Sequence, residues 1–277
     1  MSLTSFVKLP DVRERFKAEF VKPSLSKPRK SLAPPIGANC SLVGGAFDYL
    51  LRFHVQHLNP KSISGEWVAE TAVMSDMARS LVWMITDAKK AHANYILGGK
   101  IDEKLLKTAI CLAQLDVIYR KPIYFTDGDE DPYFKTIGEI SRKDIKDLRN
   151  LGSVIPSKLF AKKKVCVLNP RFGHASRLVD GADADIVIDD ALIEIKTVGD
   201  FRLERSYFDQ LIGYYILSRI GGIEGLPKTH LIKKLGIYFS RYAHLWLFKV
   251  SDVINEKEVG RFISWFKKRA KKEFSFA

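Results

Sequence analysis

Residues 181–197, GADADIVIDDALIEIKT, constrain the fold of this chain more than any other stretch. Two short apolar runs flank the pair Asp189–Asp190. Short β-type runs on either side of turn-type residues are typical of a β-hairpin. We therefore predict two antiparallel strands. The expected pairs are Ile188 with Ala191, Val187 with Leu192, and Ile186 with Ile193.

This register brings two carboxylates and one ammonium group to one face of the sheet. Asp185 falls opposite Glu194, and directly opposed residues have Cβ atoms about 4.5 to 5.5 Å apart. Lys196 projects from the same face as Glu194 because strand side chains alternate. Two carboxylates in apolar surroundings repel each other, and a hard divalent cation offsets that repulsion. The pattern predicts a magnesium site, unless the hairpin lies at the surface and water solvates its charges.

The rest of the chain divides into four segments by composition. Residues 1–40 mix Pro, Ser, Lys and Arg, which disfavours regular structure and predicts a basic, Pro-rich arm. Residues 41–160 have mainly helical periodicity, with helices expected over 42–58, 66–97, 102–120 and 141–151. Residues 161–250 carry the β-type runs and one helix over 206–220, which we expect Ser206 to cap. In residues 251–277 the spacing of apolar and basic residues predicts a basic amphipathic helix.

Positive charge is concentrated at the two ends of the chain. The net charge is +13, and residues 1–31 contribute eight Lys and Arg against three Asp and Glu. Residues 257–277 contribute seven against two. Basic ends around a nearly neutral centre suit a polyanion such as a nucleic-acid backbone, and a solvated basic surface is the alternative.

Composition also argues against several other classes of protein. The apolar runs are far shorter than the roughly 20 residues of a membrane-spanning helix, so we expect no membrane association. The first residues lack the pattern of a secretory signal, which predicts a cytoplasmic location. Cys40, Cys111 and Cys166 are widely spaced, and three thiolates do not complete a four-cysteine iron–sulfur site. We therefore expect no iron–sulfur cluster.

The hairpin residues resemble the signature of the PD-(D/E)XK nuclease superfamily. In that signature an Asp begins one strand, and an acid-x-Lys triplet lies on the next. Asp185 matches the first position, with Asp183 as a rival, and Glu194 and Lys196 match the triplet. Ala184 stands where the family has Pro, a position that supplies no ligand. The resemblance implies a restriction-endonuclease-like core, that is, a mixed α/β fold whose central mixed sheet is flanked by helices, here with a helical insertion.

A second motif resembles the RecB-like branch of this superfamily. Gln210 and Tyr214 lie four residues apart in the helix after the strands, as in its Q-x3-Y motif. The resemblance implies that this pair either holds DNA or steadies the metal centre. The branch also has an upstream helix with a metal-assisting His, and Asp48 stands at that place. Asp48 is thus a candidate ligand, and pairing with Arg52 is the alternative.

The resemblance of both motifs to this family implies a metal-dependent deoxyribonuclease. Mg²⁺, with Mn²⁺ as a substitute, is expected between Asp185, Glu194 and the backbone carbonyl of Ile195. Catalytic roles are expected for Lys196, Gln210 and Tyr214 as well. DNA repair, recombination and phage-related processing all suit such an enzyme, and exonuclease or endonuclease action and a homo-oligomeric assembly stay open. The alternatives are a non-catalytic nucleic-acid-binding module on the same scaffold and an RNA-directed nuclease.

Overall fold

A computed structural model describes residues 2–25, 27–36, 39–74, 76–120, 133, 136–161 and 163–274. Within these ranges a six-stranded mixed β-sheet lies between two groups of helices. The strands are β1 (Ile63–Ser64), β2 (Cys166–Leu168), β3 (Ile186–Ile188), β4 (Ala191–Lys196), β5 (Lys234–Phe239) and β6 (His244–Lys249). The helices are α1 (Leu3–Phe6), α2 (Pro10–Glu19), α3 (Cys40–Leu58), α4 (Val68–Ala72), α5 (Val82–Gly98), α6 (Glu103–Arg120), α7 (Arg142–Ser153), α8 (Ser157–Phe160), α9 (His174–Arg177), α10 (Arg205–Gly221) and α11 (Val259–Phe274).

The strands follow one another across the sheet in chain order. β1 and β2 are parallel, as are β4 and β5, and the other neighbouring pairs are antiparallel. The parallel pair β4 and β5 is connected through α10, as a parallel crossover requires. The expectation of a mixed α/β protein with a central mixed sheet between helices is confirmed.

Both faces of the sheet are buried because its central strands direct apolar side chains toward each face. Ile193 and Ile195 of β4 pack into one core with α3, α5, α6 and α7. Leu192 packs into the other core with α1, α2, α10 and α11. Glu194 and Lys196 have the same parity as Leu192, so they project toward the face that α10 covers. A strand buried on both faces is the setting in which a charged side chain is most costly.

The helical half follows the sequence expectations except around residues 66–97. α3, α6 and α7 lie where helical periodicity predicts them. The single helix expected over 66–97 is wrong, because α4 ends at Ala72 and a 3₁₀ segment, Asp76–Leu81, precedes α5. Strand β1 lies in the gap between α3 and α4 and was not predicted, since two residues carry too little pattern.

The N-terminal segment is more ordered than its composition suggests. The expectation that residues 1–40 avoid regular structure is wrong for α1 and α2. Phe16 contacts Phe262 edge to face, with ring centroids 5.2 Å apart, and Phe6 contacts Phe266 at the same distance. Arg269 of α11 also forms an ion pair with Asp11. The two basic ends of the chain are therefore packed together, because aromatic burial outweighs the helix-breaking composition of the neighbouring residues.

Helix α10 begins at Arg205, so the predicted span is confirmed to within one residue. The predicted capping role of Ser206 is wrong: Glu204 occupies the N-cap position, and no side chain caps the helix there. Arg205 instead fixes the first turn, since its Nε donates to Asp209 Oδ1 at 2.8 Å and its Nη1 donates to the carbonyl of Phe20 at 3.0 Å. The Arg205–Asp209 contact is an i,i+4 pair that the local sequence could have indicated, whereas the contact with Phe20 is long-range and has no local signal.

Among the described helices, none has the length and apolar composition that a bilayer span requires.

Gly221, at the end of α10, is expected to be intolerant of any side chain. A Cβ atom there would lie 2.0 Å from the carbonyl oxygen of Phe172 and 2.9 Å from Cβ of Ala175. Gly221→Ala should therefore lower the free energy of unfolding by about 1–3 kcal/mol, as other overpacked sites do. Urea denaturation measures this change. Gly260→Ala in α11 is the matched control, because nothing lies within 4 Å of its Cβ; a loss of the same size there would contradict the steric explanation.

Candidate active site

The hairpin β3–β4 has the register predicted from the sequence. Ile186 pairs with Ile193, Val187 with Leu192, and Ile188 with Ala191, while Asp189 and Asp190 form the turn. Asp189 has a positive φ of 51°, and its carboxylate accepts hydrogen bonds from the backbone N–H groups of Lys164 and Val165. The turn is thereby tied to strand β2, which fixes the position of the hairpin in the sheet.

Asp185 lies immediately before β3 and is held through both its backbone and its side chain. Its carbonyl accepts a hydrogen bond from the N–H of Asn169 at 3.0 Å. Its Oδ2 accepts from the N–H of Ile195 at 2.5 Å. This contact places the Asp185 carboxylate at the start of β3, beside the carboxyl end of β4.

Glu194 is buried, with 4% of its surface exposed. Its Oε1 accepts a hydrogen bond from Lys196 Nζ at 2.8 Å. The Asp185 carboxyl also forms a hydrogen bond with the Glu194 side chain, which lowers the pKa of Glu194, and Oε2 is buried with no other donor in the described ranges. Two buried carboxyls in contact do not both ionise at low cost, so the pair favours either a shared proton or a bound cation.

The two carboxyl groups perturb each other. Burial raises the pKa of Asp185 well above its usual value, and the charges of Glu194 and Asp48 raise it further. Burial also raises the pKa of Glu194, although Lys196 opposes this shift. For Lys196, burial lowers the pKa, but Glu194 and Asp185 outweigh burial and raise it. Lys196 is therefore an ammonium group at neutral pH, beside two carboxyls that resist ionising together.

Gln210 and Tyr214 belong to the same cluster. Gln210 Oε1 accepts a hydrogen bond from Lys196 Nζ at 3.0 Å, and Gln210 Nε2 donates to the hydroxyl of Tyr214 at 3.0 Å. Burial, followed by the charges of Glu194 and Asp185, raises the pKa of Tyr214 well above its usual value. Tyr214 is thus a neutral phenol. A continuous chain of hydrogen bonds runs from Glu194 through Lys196 and Gln210 to Tyr214.

Asp48 approaches this cluster from α3, which packs on the other face of the sheet. Its Oδ2 accepts a hydrogen bond from Arg52 Nη2 at 2.6 Å, the i,i+4 pair that the sequence left open. Arg52 is itself buried. The charge of Asp48 nevertheless raises the pKa of both Asp185 and Glu194. The structure therefore brings Asp48 within electrostatic range of the pair while engaging it with a cation.

Two residues at the cluster were missed from the sequence. The ring centroid of Tyr207 lies 4.9 Å from Lys196 Nζ, a cation–π distance. Its position three residues before Gln210 on the same helix was a usable signal. Thr4 Oγ1 lies 3.3 Å from Gln210 Nε2, which donates to it. Thr4 is 206 residues away in the chain, and no local pattern connects it to the cluster.

The donor chemistry of the cluster suits a magnesium ion. No group of three or more His, Cys, Asp and Glu side chains in the described ranges is arranged to hold a metal ion. Magnesium does not require one, since it is commonly bound by one or two carboxylates and keeps several waters. Asp185 and Glu194 supply two such carboxylates, buried side by side with only Lys196 hydrogen-bonded to Glu194 as a cation. The residues present therefore fit Mg²⁺.

Asp185→Asn is expected to stabilise the metal-free protein at neutral and alkaline pH. A carboxyl whose pKa is raised by folding binds its proton more tightly in the folded state, so stability is lost as pH rises above about 4. Asparagine keeps the acceptor for the Ile195 N–H and removes the charge. Thermal unfolding in chelator should show a higher Tm for the variant at pH 8 and converging values near pH 4. A wild-type protein that is more stable than the variant at pH 8 would contradict the raised pKa.

Comparison with protein-family models, curated proteins and solved structures finds no match to this chain.

Proposed function

We propose that this chain is a metal-dependent nuclease that hydrolyses phosphodiester bonds in DNA, built on a restriction-endonuclease-like core of the RecB-like type. One observation carries the proposal: the carboxyl groups of Asp185 and Glu194 share one face of the sheet with the ammonium group of Lys196. A structural protein has no physical need for two mutually repelling carboxyls in a buried position. A hydrolase that binds a divalent cation and an anionic substrate does.

The proposed cation ligands are Asp185, Glu194 and the carbonyl of Ile195, with Asp48 as a further carboxylate in electrostatic range. When bound, Mg²⁺ or Mn²⁺ supplies Lewis-acid stabilisation of a phosphoryl oxygen and lowers the pKa of a bound water. Burial raises the pKa of both carboxyls, and the charge of Glu194 raises that of Asp185 further, so both would ionise more readily beside a bound cation. Metal binding and release of protons from this pair are therefore coupled in the proposal.

Lys196 acts in the proposal as a fixed positive charge. Its raised pKa keeps it protonated, so it donates hydrogen bonds and does not accept a proton. Glu194 and Gln210 each accept a hydrogen bond from Lys196 Nζ, which leaves its third N–H to donate to a substrate oxygen or an attacking water. A preorganised ammonium group of this kind stabilises the negative charge that develops on phosphorus-bound oxygens.

Three residues of α10 position Lys196: Gln210, Tyr214 and Tyr207. Gln210 is held by Tyr214 and Thr4, so its carbonyl oxygen stays directed at Lys196 Nζ. Tyr207 provides an aromatic face for the ammonium group. This network orients Lys196. The RecB-like resemblance leaves open whether Gln210 and Tyr214 hold DNA or steady the metal centre.

The proposed core is supported by the order of its elements. The hairpin β3–β4 is followed by α10, which crosses to the parallel strand β5, and β6 completes the sheet. The acid-x-Lys triplet lies at the carboxyl end of β4, beside the helix that carries the Gln/Tyr pair. DNA as the substrate is supported by the net charge of +13.

The purified protein should be incubated with linear and circular DNA in Mg²⁺, in Mn²⁺ and in chelator. We expect cleavage with either ion and none in chelator. Matched RNA of the same sequence tests the substrate class, and preferential cleavage of RNA would contradict the DNA assignment. Binding of DNA without cleavage under both ions would instead indicate a non-catalytic module.

A further inference from the structure

An extended segment crosses the molecule beside the candidate site. We call residues 20–25 and 27–33 the strap. Lys22 Nζ donates a hydrogen bond to the carbonyl of Leu203 at 2.9 Å. The N–H groups of Leu32 and Ala33 donate to the carbonyl of Arg241 at 2.8 and 3.1 Å. The strap is therefore anchored at both ends, to the start of α10 and to the β5–β6 turn.

The strap contacts the loop that follows Lys196, residues 197–204, through Lys22 at Leu203 and Arg29 at Phe201. Ser240 Oγ donates a hydrogen bond to Thr197 Oγ1 at 2.8 Å, and the Tyr242 hydroxyl donates to the carbonyl of Gly199. The Phe201 ring packs on Phe239, with centroids 4.8 Å apart. These contacts hold the loop in place at the carboxyl end of β4.

The loop connects the strap to the candidate site. A groove of about 220 Å³ is lined by Val198, Gly199, Asp200, Arg202, Glu204 and Tyr207. Tyr207 is also the residue whose ring lies against Lys196 Nζ. On the other side of the loop, the guanidinium of Arg29 lies 5.9 Å from the Phe201 ring centroid. One wall of the candidate site and the strap thus belong to a single surface.

The strap carries only positive charge. Residues 20–47 contain no Asp or Glu, and Lys27, Arg29 and Lys30 are exposed. Burial and then the charge of Arg29 lower the pKa of His244, so this cation acts on its surroundings. Pro23 and Pro28 each fix their own φ, and the residue before a proline is biased toward extended backbone. The backbone around Lys27 and Arg29 therefore loses little conformational entropy on binding a ligand.

We propose that the strap binds the sugar–phosphate backbone of the nucleic-acid substrate and directs the strand toward Lys196. This inference rests on the proposed function. An extended chain from residue 27 to residue 30 spans about 10 Å. Successive phosphates of one DNA strand rise about 3.4 Å along the axis and lie farther apart in space, so cations spread over about 10 Å face two or three neighbouring phosphates and not a single anion. Contacts of this kind are independent of base sequence.

The test is the salt dependence of DNA binding by the full chain, measured as fluorescence anisotropy of a labelled duplex in chelator. Each lost phosphate contact reduces the slope of log K against log salt by about 0.9. The triple variant Lys27→Ala, Arg29→Ala, Lys30→Ala should reduce the slope by about 2–3. The double variant Lys27→Ala, Lys30→Ala keeps the contact of Arg29 with Phe201 and should reduce it by about 2.

A control variant, Lys100→Ala, Lys104→Ala, Lys107→Ala, makes the same change in net charge near the start of α6. We expect its slope to equal that of the wild type. Equal losses in the control and the strap variants, or an unchanged slope in the strap variants, would overturn the inference. If the wild type still cleaves DNA in that case, the proposed function stands without the strap. A wild type that neither binds nor cleaves DNA removes both proposals.

Discussion

Lys196→Ala is expected to reduce the rate of DNA cleavage by a factor on the order of 10² to 10³, the usual cost of removing one preorganised donor from a charged transition state. Lys196 forms an ion pair with Glu194 at 2.8 Å, and its side chain is 16% exposed, so solvent reaches it. Its removal takes away the ammonium group and leaves the carboxylate of Glu194 without its hydrogen-bond donor. Single-turnover cleavage at saturating Mg²⁺ measures the chemical step.

Lys234→Ala is the matched control for this experiment. Lys234 begins β5 at the opposite end of the same sheet and forms an ion pair with Asp190. The Lys234→Ala variant should cleave DNA at the wild-type rate. Circular dichroism of both variants shows whether the fold is retained. Cleavage by Lys196→Ala at the wild-type rate would refute the assignment of this residue.

Asp147→Ala should lower the free energy of unfolding by about 3–5 kcal/mol, the usual effect of leaving one partner of a buried ion pair unpaired. Asp147 of α7 is fully buried, and the Arg241 side chain is 1% exposed. Arg241 donates to both carboxylate oxygens of Asp147, at 2.8 and 3.0 Å, and to the carbonyl of Ala33 at 3.0 Å. The pair thus connects the helical half, the β5–β6 turn and the strap. Urea denaturation measures the loss.

The double variant Asp147→Leu, Arg241→Met distinguishes the net contribution of the ion pair to stability from the cost of one buried, unpaired charge. Replacing both members of a buried pair with apolar residues is often neutral or stabilising, so we expect the double variant to recover most of the lost stability. A single variant that loses less than about 1 kcal/mol would contradict the view that this ion pair is buried without solvent.

The hairpin could be predicted from the sequence because its determinants are local. The side-chain alternation of β4 and the two-residue turn at Asp189 and Asp190 together allow one register, and a shift by one residue would turn Glu194 toward the other core. The contacts that complete the cluster are not local. Gln210 meets Lys196 only after α10 crosses the sheet, and Thr4 reaches Gln210 only after α1 packs on that helix.

The N-terminal segment shows where composition misleads. Averaged over residues 1–40, Pro, Ser and basic residues disfavour a helix. Residues 10–19 nevertheless begin with Pro10 at the first helical position and Asp11 in the first turn, which are helix-start signals. The partner that stabilises this helix, α11, lies some 240 residues away, so its aromatic face has no visible partner in the local sequence.

Titration of the metal-free protein with Mn²⁺, measured by isothermal titration calorimetry, tests most directly whether Asp185 and Glu194 jointly bind a divalent cation. We expect the wild type to bind Mn²⁺, and Asp185→Asn and Glu194→Gln each to bind it at least about tenfold more weakly. Glu224→Gln, which changes an exposed acid beyond the end of α10, should bind as the wild type does. Equal affinity in all four proteins, or no binding by the wild type, would contradict the central claim.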